Sequence, residues 1–544
     1  MEALGDMYMN MKNKINLLLL VIILLAAILR IYKIDQVPPS LSWDEAANGY
    51  NAYTIANYGR DEHGKYFPAY FRSFGDDKHP IHIYLTAPFV KILGLNEFST
   101  RLPSAVFGTL NVLLIFFLTN LLFKNKFIAL FTAFLLAISP YNIHFSRFNH
   151  EVNFVLFFFM LGLVLFFTAL KKGGLYLPFS ILSFGLCFIS YHPAKIVVPV
   201  ILFFLFILYF RNFLQNKKSL LRASLVAAIF LVIILVNPEL LGVARVNQTL
   251  LKRDRIIQTN LYKQTGNEFF GKLDLILTQY SWHFLPEFLF IKGDANPRLS
   301  FQTGQFYKIE AVFLIAGVLF LIHKRSKEGL LLLVWALIAP IPSSLTEEAP
   351  HAARASFMMG SWHIISALGF YFILSLVRFR ILKILISMIT IIILIYSLKL
   401  GLDYYYGEYA ERYAIEWQYG MKQIVEFVKE NEEYNQIFVT DIRSQPYIFF
   451  LYYLKEPIPE YLNSVLYNNL QETKSFNMTA SFRSNYRDFY FGGWDPVESA
   501  PQKDRLYVLS PSQYGGLRYR EAFDVKKIIH YPNGGVAFYI VSAI

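Results

Sequence analysis

The sequence predicts a polytopic α-helical membrane protein with a small extracytoplasmic α/β domain at its C-terminal end. Three observations carry this. The 544 residues are 55% hydrophobic and 17% aromatic, with a mean hydropathy of +0.38. Soluble domains rarely reach that value, and repeated apolar runs near ~20 residues mark membrane spans. Lysine and arginine concentrate in alternate loops between those runs. Beyond residue 401 the apolar runs shorten and the periodicity changes to that of a soluble fold.

About 11 runs have the length a span needs, roughly 17–22 residues each. They lie near 15–33, 103–123, 127–142, 152–170, 175–191, 195–211, 221–238, 307–323, 328–345, 357–377 and 380–400. The first, after Lys12 and Lys14, has the look of a signal peptide. It lacks a small-residue cleavage site and Arg30 and Lys33 follow directly, so it reads as a retained span. The run 80–95 is short and interrupted by Pro88 and Lys91, which suits a helix lying on the membrane surface.

Loop charge gives the direction. Lys12 and Lys14, Lys124 and Lys126, Lys171 and Lys172, Arg211 to Arg222, Lys324 to Lys327, and Arg378 with Arg380 share one side, the cytoplasm. Arg30 and Lys33 are the exceptions. The net charge of +12 is accounted for by this bias, so nucleic acid is not an expected partner and the lipid bilayer is. The N-terminus is then cytoplasmic and the tail extracytoplasmic, in a cell membrane. The single Cys187 excludes an internal disulfide framework. No repeat, phosphate-binding glycine loop or HExxH signature is present.

The same sorting puts nearly every His-, Asp- or Glu-bearing cluster on the outer face. These are WDE (43–45), GDDKHP (75–80), SRFNHE (146–151), YHPAK (191–195), the loop 239–306 and TEEAPHAAR (346–354). Ser42 with Glu45 fits a capping box, in which the Ser side chain caps the helix and the Glu three residues on folds back. That role leaves Asp44 with no capping duty, so a dipole-complementing acid and a catalytic acid are both open for it. Lys78 and His79 stand before Pro80 at a helix N-terminus, the unfavourable end for a cation. A bound anion would resolve this, and so would a lysine reaching to lipid headgroups. Arg147 and Glu151 are spaced to pair, His192 and Lys195 cap a span, and His351 and Arg354 could share one anion. Near-membrane charges usually face a cavity, and this set shares one face.

In the tail, 410–434 has helical period, and 436–440, 505–510 and 535–541 read as strands, the last after the Pro532-Asn-Gly-Gly turn. The chain thus divides into a transmembrane domain, 1–402, and an outer α/β domain, 403–544.

With these residues in view, the chain resembles the bacterial and archaeal relatives of the dolichyl-phosphate-mannose protein mannosyltransferase family. That is a GT-C-fold group that includes the aminoarabinose transferases of lipid A. The resemblance rests on Asp44-Glu45, Lys78-His79-Pro80, Arg101-Leu-Pro103, Ser146-Arg147 with Glu151, Tyr191-His192, the stretch 283–298 and PIPSSLTEEAPHAAR (340–354). It implies a GT-C catalytic domain over 1–402 that moves a sugar from a polyprenyl-phosphate donor to a lipid, glycan or protein acceptor on the outer face. It implies Asp44 and Glu45 at the catalytic centre, with Asp44 the general base of an inverting transfer. Lys78, His79, Arg147, His351 and Arg354 are the expected donor-phosphate contacts. Glu151, His192, His283 and Glu287 are weaker candidates for acceptor or sugar. His79 departs from the proline usual in the family. A divalent metal is compatible with the outer carboxylates and histidines, but their spacing indicates none and none is assigned. The alternative is a polytopic transporter of a lipid or glycoconjugate, which should show symmetric halves and broken mid-membrane helices.

Overall fold

The computed structural model describes residues 2–74, 76–242, 249–443, 445–467, 484–492 and 501–544. Each of the eleven apolar runs contains a helix. Among the described residues, eight helices are long and apolar enough to cross a membrane, which makes the chain a multi-pass membrane protein. They are Asn13–Ile31, Glu97–Phe123, Val152–Lys172, Ala194–Asn212, Lys217–Val236, Lys327–Ser344, Met358–Leu376 and Arg380–Arg412. By length and composition, eight of the eleven expected spans are met. The helices Lys126–Ile138, Tyr176–Phe188 and Glu310–Lys324 are shorter than their runs. Lys126–Ile138 stops where Ser139-Pro140 starts a separate helix, Pro140–Phe145, because proline has no N–H to continue the ladder.

The chain forms two compact units, Met1–Tyr32 with Ser104–Asp403, and Lys33–Pro103 with Tyr404–Ile544. The first is a helical bundle. Val152–Lys172 packs along Tyr176–Phe188, and Glu310–Lys324 along Met358–Leu376. Lipid is as apolar as leucine, so such pairs depend on close approach rather than on hydrophobic burial. A Cβ on Gly369 would lie 1.8 Å from the Phe313 carbonyl oxygen, and one on Gly317 would lie 2.1 Å from that of Ile365. Ile381, Ile384, Leu385, Met388, Ile392 and Ile395 stay exposed along one long helix, a surface made for lipid.

The second unit combines the first outer loop with the tail. It holds the helices Trp43–Tyr58 and Pro80–Leu93 and the hairpin β1 (Phe71–Ser73) and β2 (Asp76–Lys78). From the tail come the helices Met421–Glu430 and Pro446–Leu454 and the strands β3 (Gln436–Val439), β4 (Leu466–Tyr467), β5 (Ser484–Asn485), β6 (Phe489–Phe491), β7 (Arg505–Leu509), β8 (Phe523–His530) and β9 (Val536–Ala543). Five of these form a mixed sheet of order β6-β3-β7-β9-β8, in which β3 is parallel to both its neighbours and β9 antiparallel to both of its own. Tyr50, Ala47, Met421, Ile424, Phe449 and Leu451 share one buried core in this unit. The helix expected over 410–434 is broken, because Gln418 and Gly420 both adopt positive φ before Met421 restarts it.

Candidate active site

In the second unit, the capping box forms. Ser42 is extended at φ −75°, its Oγ accepts from Glu45 N–H at 3.3 Å, and Glu45 Oε2 accepts from Ser42 N–H at 3.1 Å. Glu45 does more than cap. The buried guanidinium of Arg101 donates from Nε to Glu45 Oε1 at 2.8 Å and from Nη2 to Oε2 at 3.2 Å. Its remaining N–H groups reach the carbonyls of Ile34, Pro38 and Ser40 at 2.9, 2.9 and 2.5 Å. The tail adds a third support, since Gln418 Oε1 accepts from Trp43 N–H at 3.2 Å. The first turn of this helix is thus fixed by its neighbours, with Glu45 as the hub.

Asp44 points elsewhere and forms an ion pair with Lys78. The two side chains are 38% and 15% exposed, so this pair can be reached where Glu45 cannot. Lys78 ends β2, opposite Phe71 of β1, and His79, buried, is the N-cap of Pro80–Leu93. Gly49 lets Tyr452 and Thr100 approach, since a Cβ there would lie 2.6 Å from the Tyr452 ring. Tyr50 donates to the Glu456 carbonyl at 2.8 Å. Tail side chains therefore hold the helix that carries Asp44.

The remaining sequence candidates belong to the first unit. Arg147 is buried and donates from Nη1 to the carbonyls of Leu29 and Arg30 at 3.1 and 3.3 Å. Arg30, equally buried, donates to Leu136 O, Ala137 O and Asn142 Oδ1, closing the C-terminal end of Lys126–Ile138. Glu151 lies 3.2 Å from His150, whose ring meets Tyr191 edge-on. His192 Nδ1 is 3.5 Å from Lys195 Nζ. His351 and Arg354 sit together. Arg354 N–H donates to His351 Nδ1, its Nη1 to Thr346 Oγ1 at 2.9 Å and its Nη2 to Glu348 at 3.1 Å. Three contacts draw these segments together: His144 Nε2 with Arg298 O, the Tyr141 hydroxyl with Ala352 O, and Asp294 with Ala352 N–H. Glu287 is exposed at the start of the short π-helix Glu287–Ile291, while His283 is buried with Nδ1 2.9 Å from Gln279 O. Burial pushes the His283 pKa down to about 4.

Sequence reasoning passed over Asp294. Its carboxylate accepts from Ala352 N–H at 2.6 Å and Asn296 N–H at 2.8 Å, joining the 294–298 turn to the segment that bears His351 and Arg354. Burial pushes its pKa up to about 6, against those two hydrogen bonds and Arg354. The Asp-x-Asn-Pro sequence, a side-chain-capped turn, was the available signal. Arg101 was visible in the sequence but its partner was not. Among the described residues, no group of three or more His, Cys, Asp or Glu side chains is placed to hold a metal ion.

Comparison with known proteins bears on this arrangement. Residues 77–236, starting one residue before Lys78, match the dolichyl-phosphate-mannose-protein mannosyltransferase family. The candidate mannosyltransferase YkcB of Bacillus subtilis (strain 168) is 28% identical over 223 residues, 40% of this chain and 29% of its own. The match thus spans less than a third of that relative's length. Among solved structures, ArnT from Cupriavidus metallidurans in the apo state superposes with a TM-score of 0.58 at 11% identity, over 97% of this chain and 97% of that one. The same protein bound to undecaprenyl phosphate gives 0.56 at 10% identity, over 96% and 98%. Such identities establish fold and nothing finer. The chain has a GT-C-like membrane fold, and its residues 77–236 match the dolichyl-phosphate-mannose-protein mannosyltransferase family that its outer loops resemble.

Proposed function

We propose that this chain is a membrane glycosyltransferase that moves a sugar from a polyprenyl-phosphate donor to a lipid, glycan or protein acceptor on the extracytoplasmic face, with inversion. The observation that carries this reading is the accessible Asp44–Lys78 ion pair at the head of a helix whose other first-turn acid is fully engaged. The ArnT complex with undecaprenyl phosphate, on the same fold, supports the donor class.

The donor's phosphodiester becomes a phosphomonoester as it leaves, so negative charge grows on phosphate in the transition state. Cations fixed in advance stabilise that charge. Lys78 exchanges Asp44 for the arriving phosphate, and His79 follows it directly at the N-cap of the next helix. Arg147, His351 and Arg354 are further donor-phosphate contacts that the resemblance implies. The exchange releases the Asp44 carboxylate to take the proton of the acceptor hydroxyl as that oxygen attacks the anomeric carbon. The bond from the anomeric carbon to the phosphate oxygen breaks on the opposite side, and polyprenyl phosphate departs. Glu151, His192, His283 and Glu287 contribute to sugar or acceptor contacts. In this reading 1–402 is the catalytic region and 403–544 an outer domain. The three shorter apolar helices complete eleven crossings.

The test is release of polyprenyl phosphate from lipid-linked hexoses by the full chain in membrane vesicles. Asp44→Asn keeps shape and removes basicity, so the rate should fall by ~10²–10⁴-fold while donor binding persists. Lys78→Ala should raise the donor KM more than the acceptor KM. An Asp44→Asn chain with the wild-type rate would refute the assignment.

A further inference from the structure

Glu62 is a buried carboxylate with no part in the chemistry above. It follows the helix that carries Asp44, in a turn built by Asp61, whose Oδ1 accepts from the N–H groups of His63 and Lys65 at 3.0 and 2.8 Å. That turn aims Glu62 inward. Its backbone N–H donates to Asn51 Oδ1 at 2.9 Å, and its Oε1 accepts from Asn51 Nδ2 at 3.2 Å, a reciprocal pair. Asn51, also buried, lies two turns down the helix from Asp44 and donates to the Ala47 carbonyl at 2.9 Å as well. The same Glu62 Oε1 accepts from Ser73 Oγ at 2.9 Å. Ser73 belongs to β1, the strand paired with the one that ends in Lys78. One oxygen thus joins the Asp44 helix to the Lys78 hairpin.

We propose that Glu62 is a positioning residue, which sets the Lys78 hairpin against the Asp44 helix so that ammonium and carboxylate meet. The site is expensive to keep. Glu62 Oε2 has no hydrogen-bond partner among the described residues, and a buried polar atom left so costs free energy that the three hydrogen bonds of this residue must offset. Burial raises its pKa, which favours the neutral acid. A glutamine, with the same carbonyl acceptor, should therefore substitute for it.

This inference rests on the proposed transfer function. Its test is a double-mutant cycle on polyprenyl-phosphate release by the full chain in vesicles. Glu62→Ala should slow release by about 10- to 100-fold, the effect of a misplacement near 1 Å. In the Lys78→Ala background the same change should have little further effect, because the residue acts through Lys78. Glu62→Gln should stay within about threefold of wild type. Should Glu62→Ala not fold, Ser73→Ala removes one of the two bonds to Oε1, and its smaller loss should also vanish in the Lys78→Ala background. Losses that multiply with that of Lys78→Ala would overturn the proposal, as would a wild-type rate in Glu62→Ala or equal losses in the Ala and Gln variants. If Asp44→Asn and Lys78→Ala themselves leave release unchanged, it is the function that fails and not the positioning.

Discussion

At the scale of single residues, Glu45 shows how far local sequence reaches. Ser42 and Glu45 are three residues apart, so their capping box is written in the sequence. On that basis alone, losing Glu45 would cost about 1 kcal/mol. Arg101 is 56 residues away, and only the fold reveals that it pairs with Glu45 in a buried site. Removing one partner of such a pair strands the other, so Glu45→Gln should cost about 3–5 kcal/mol in thermal stability. The folded fraction should still catalyse transfer, which separates Glu45 from Asp44. Asp294 and His283 predict opposite pH responses. The Asp294 pKa is raised from 3.8 to about 6, so its stabilising effect is full below pH 3.8 and is lost as pH rises through 6. The difference in unfolding free energy between wild type and Asp294→Asn should shift against wild type over that window, by on the order of 2–3 kcal/mol, and be flat above it. The His283 pKa is lowered from 6.5 to about 4, so its effect is full above pH 6.5 and is lost as pH falls through 4. His283→Gln should remove that slope, and the two trends partly cancel in the wild type.

At the scale of elements, the apolar runs were legible because a span needs only length and composition. Their ends were less so, since Pro140 and the Ser190–Pro193 turn stop helices inside runs that remain apolar. In the tail, Lys526 and Lys527 hid β8. The register shifts between Val525 and Lys527, so the alternation that signals a strand is interrupted. β6 has three residues and offers no pattern to read. Glycine contacts at helix interfaces were also invisible. Gly369→Ala would push a methyl against the Phe313 backbone and should cost about 1–3 kcal/mol or more. Gly401 also lies in a helix, with nothing within 4 Å of its added Cβ, so Gly401→Ala should be neutral or stabilise by about 0.5–1 kcal/mol. Melting of the two variants in detergent tests this directly.

At the scale of the whole molecule, the loop-charge bias predicts a cytoplasmic N-terminus and an extracytoplasmic tail. A periplasm- or exterior-active reporter fused after Ile544 should be active, and one that works only in the cytoplasm should be silent. The grouping of the first outer loop with the tail was not readable, because no local pattern joins Tyr50 to Glu456 or Thr100 to Tyr452, 406 and 352 residues apart. A chain ending at Asp403 should therefore leave residues 33–103 open to cleavage by added protease that the full chain resists. The same discontinuity sets a clock on biosynthesis. The halves of the second unit are separated by the 300 residues 104–403. At ~5–20 residues per second, the ribosome needs roughly 15–60 s to supply them. On the topology that loop charge predicts, the newborn Asp44 helix, rich in tyrosine, waits throughout that interval on the far side of the membrane without the side chains that will bury it. Its maturation is thus tied to synthesis of residues 404–544, and a holding chaperone on the side that receives the helix would find its client there.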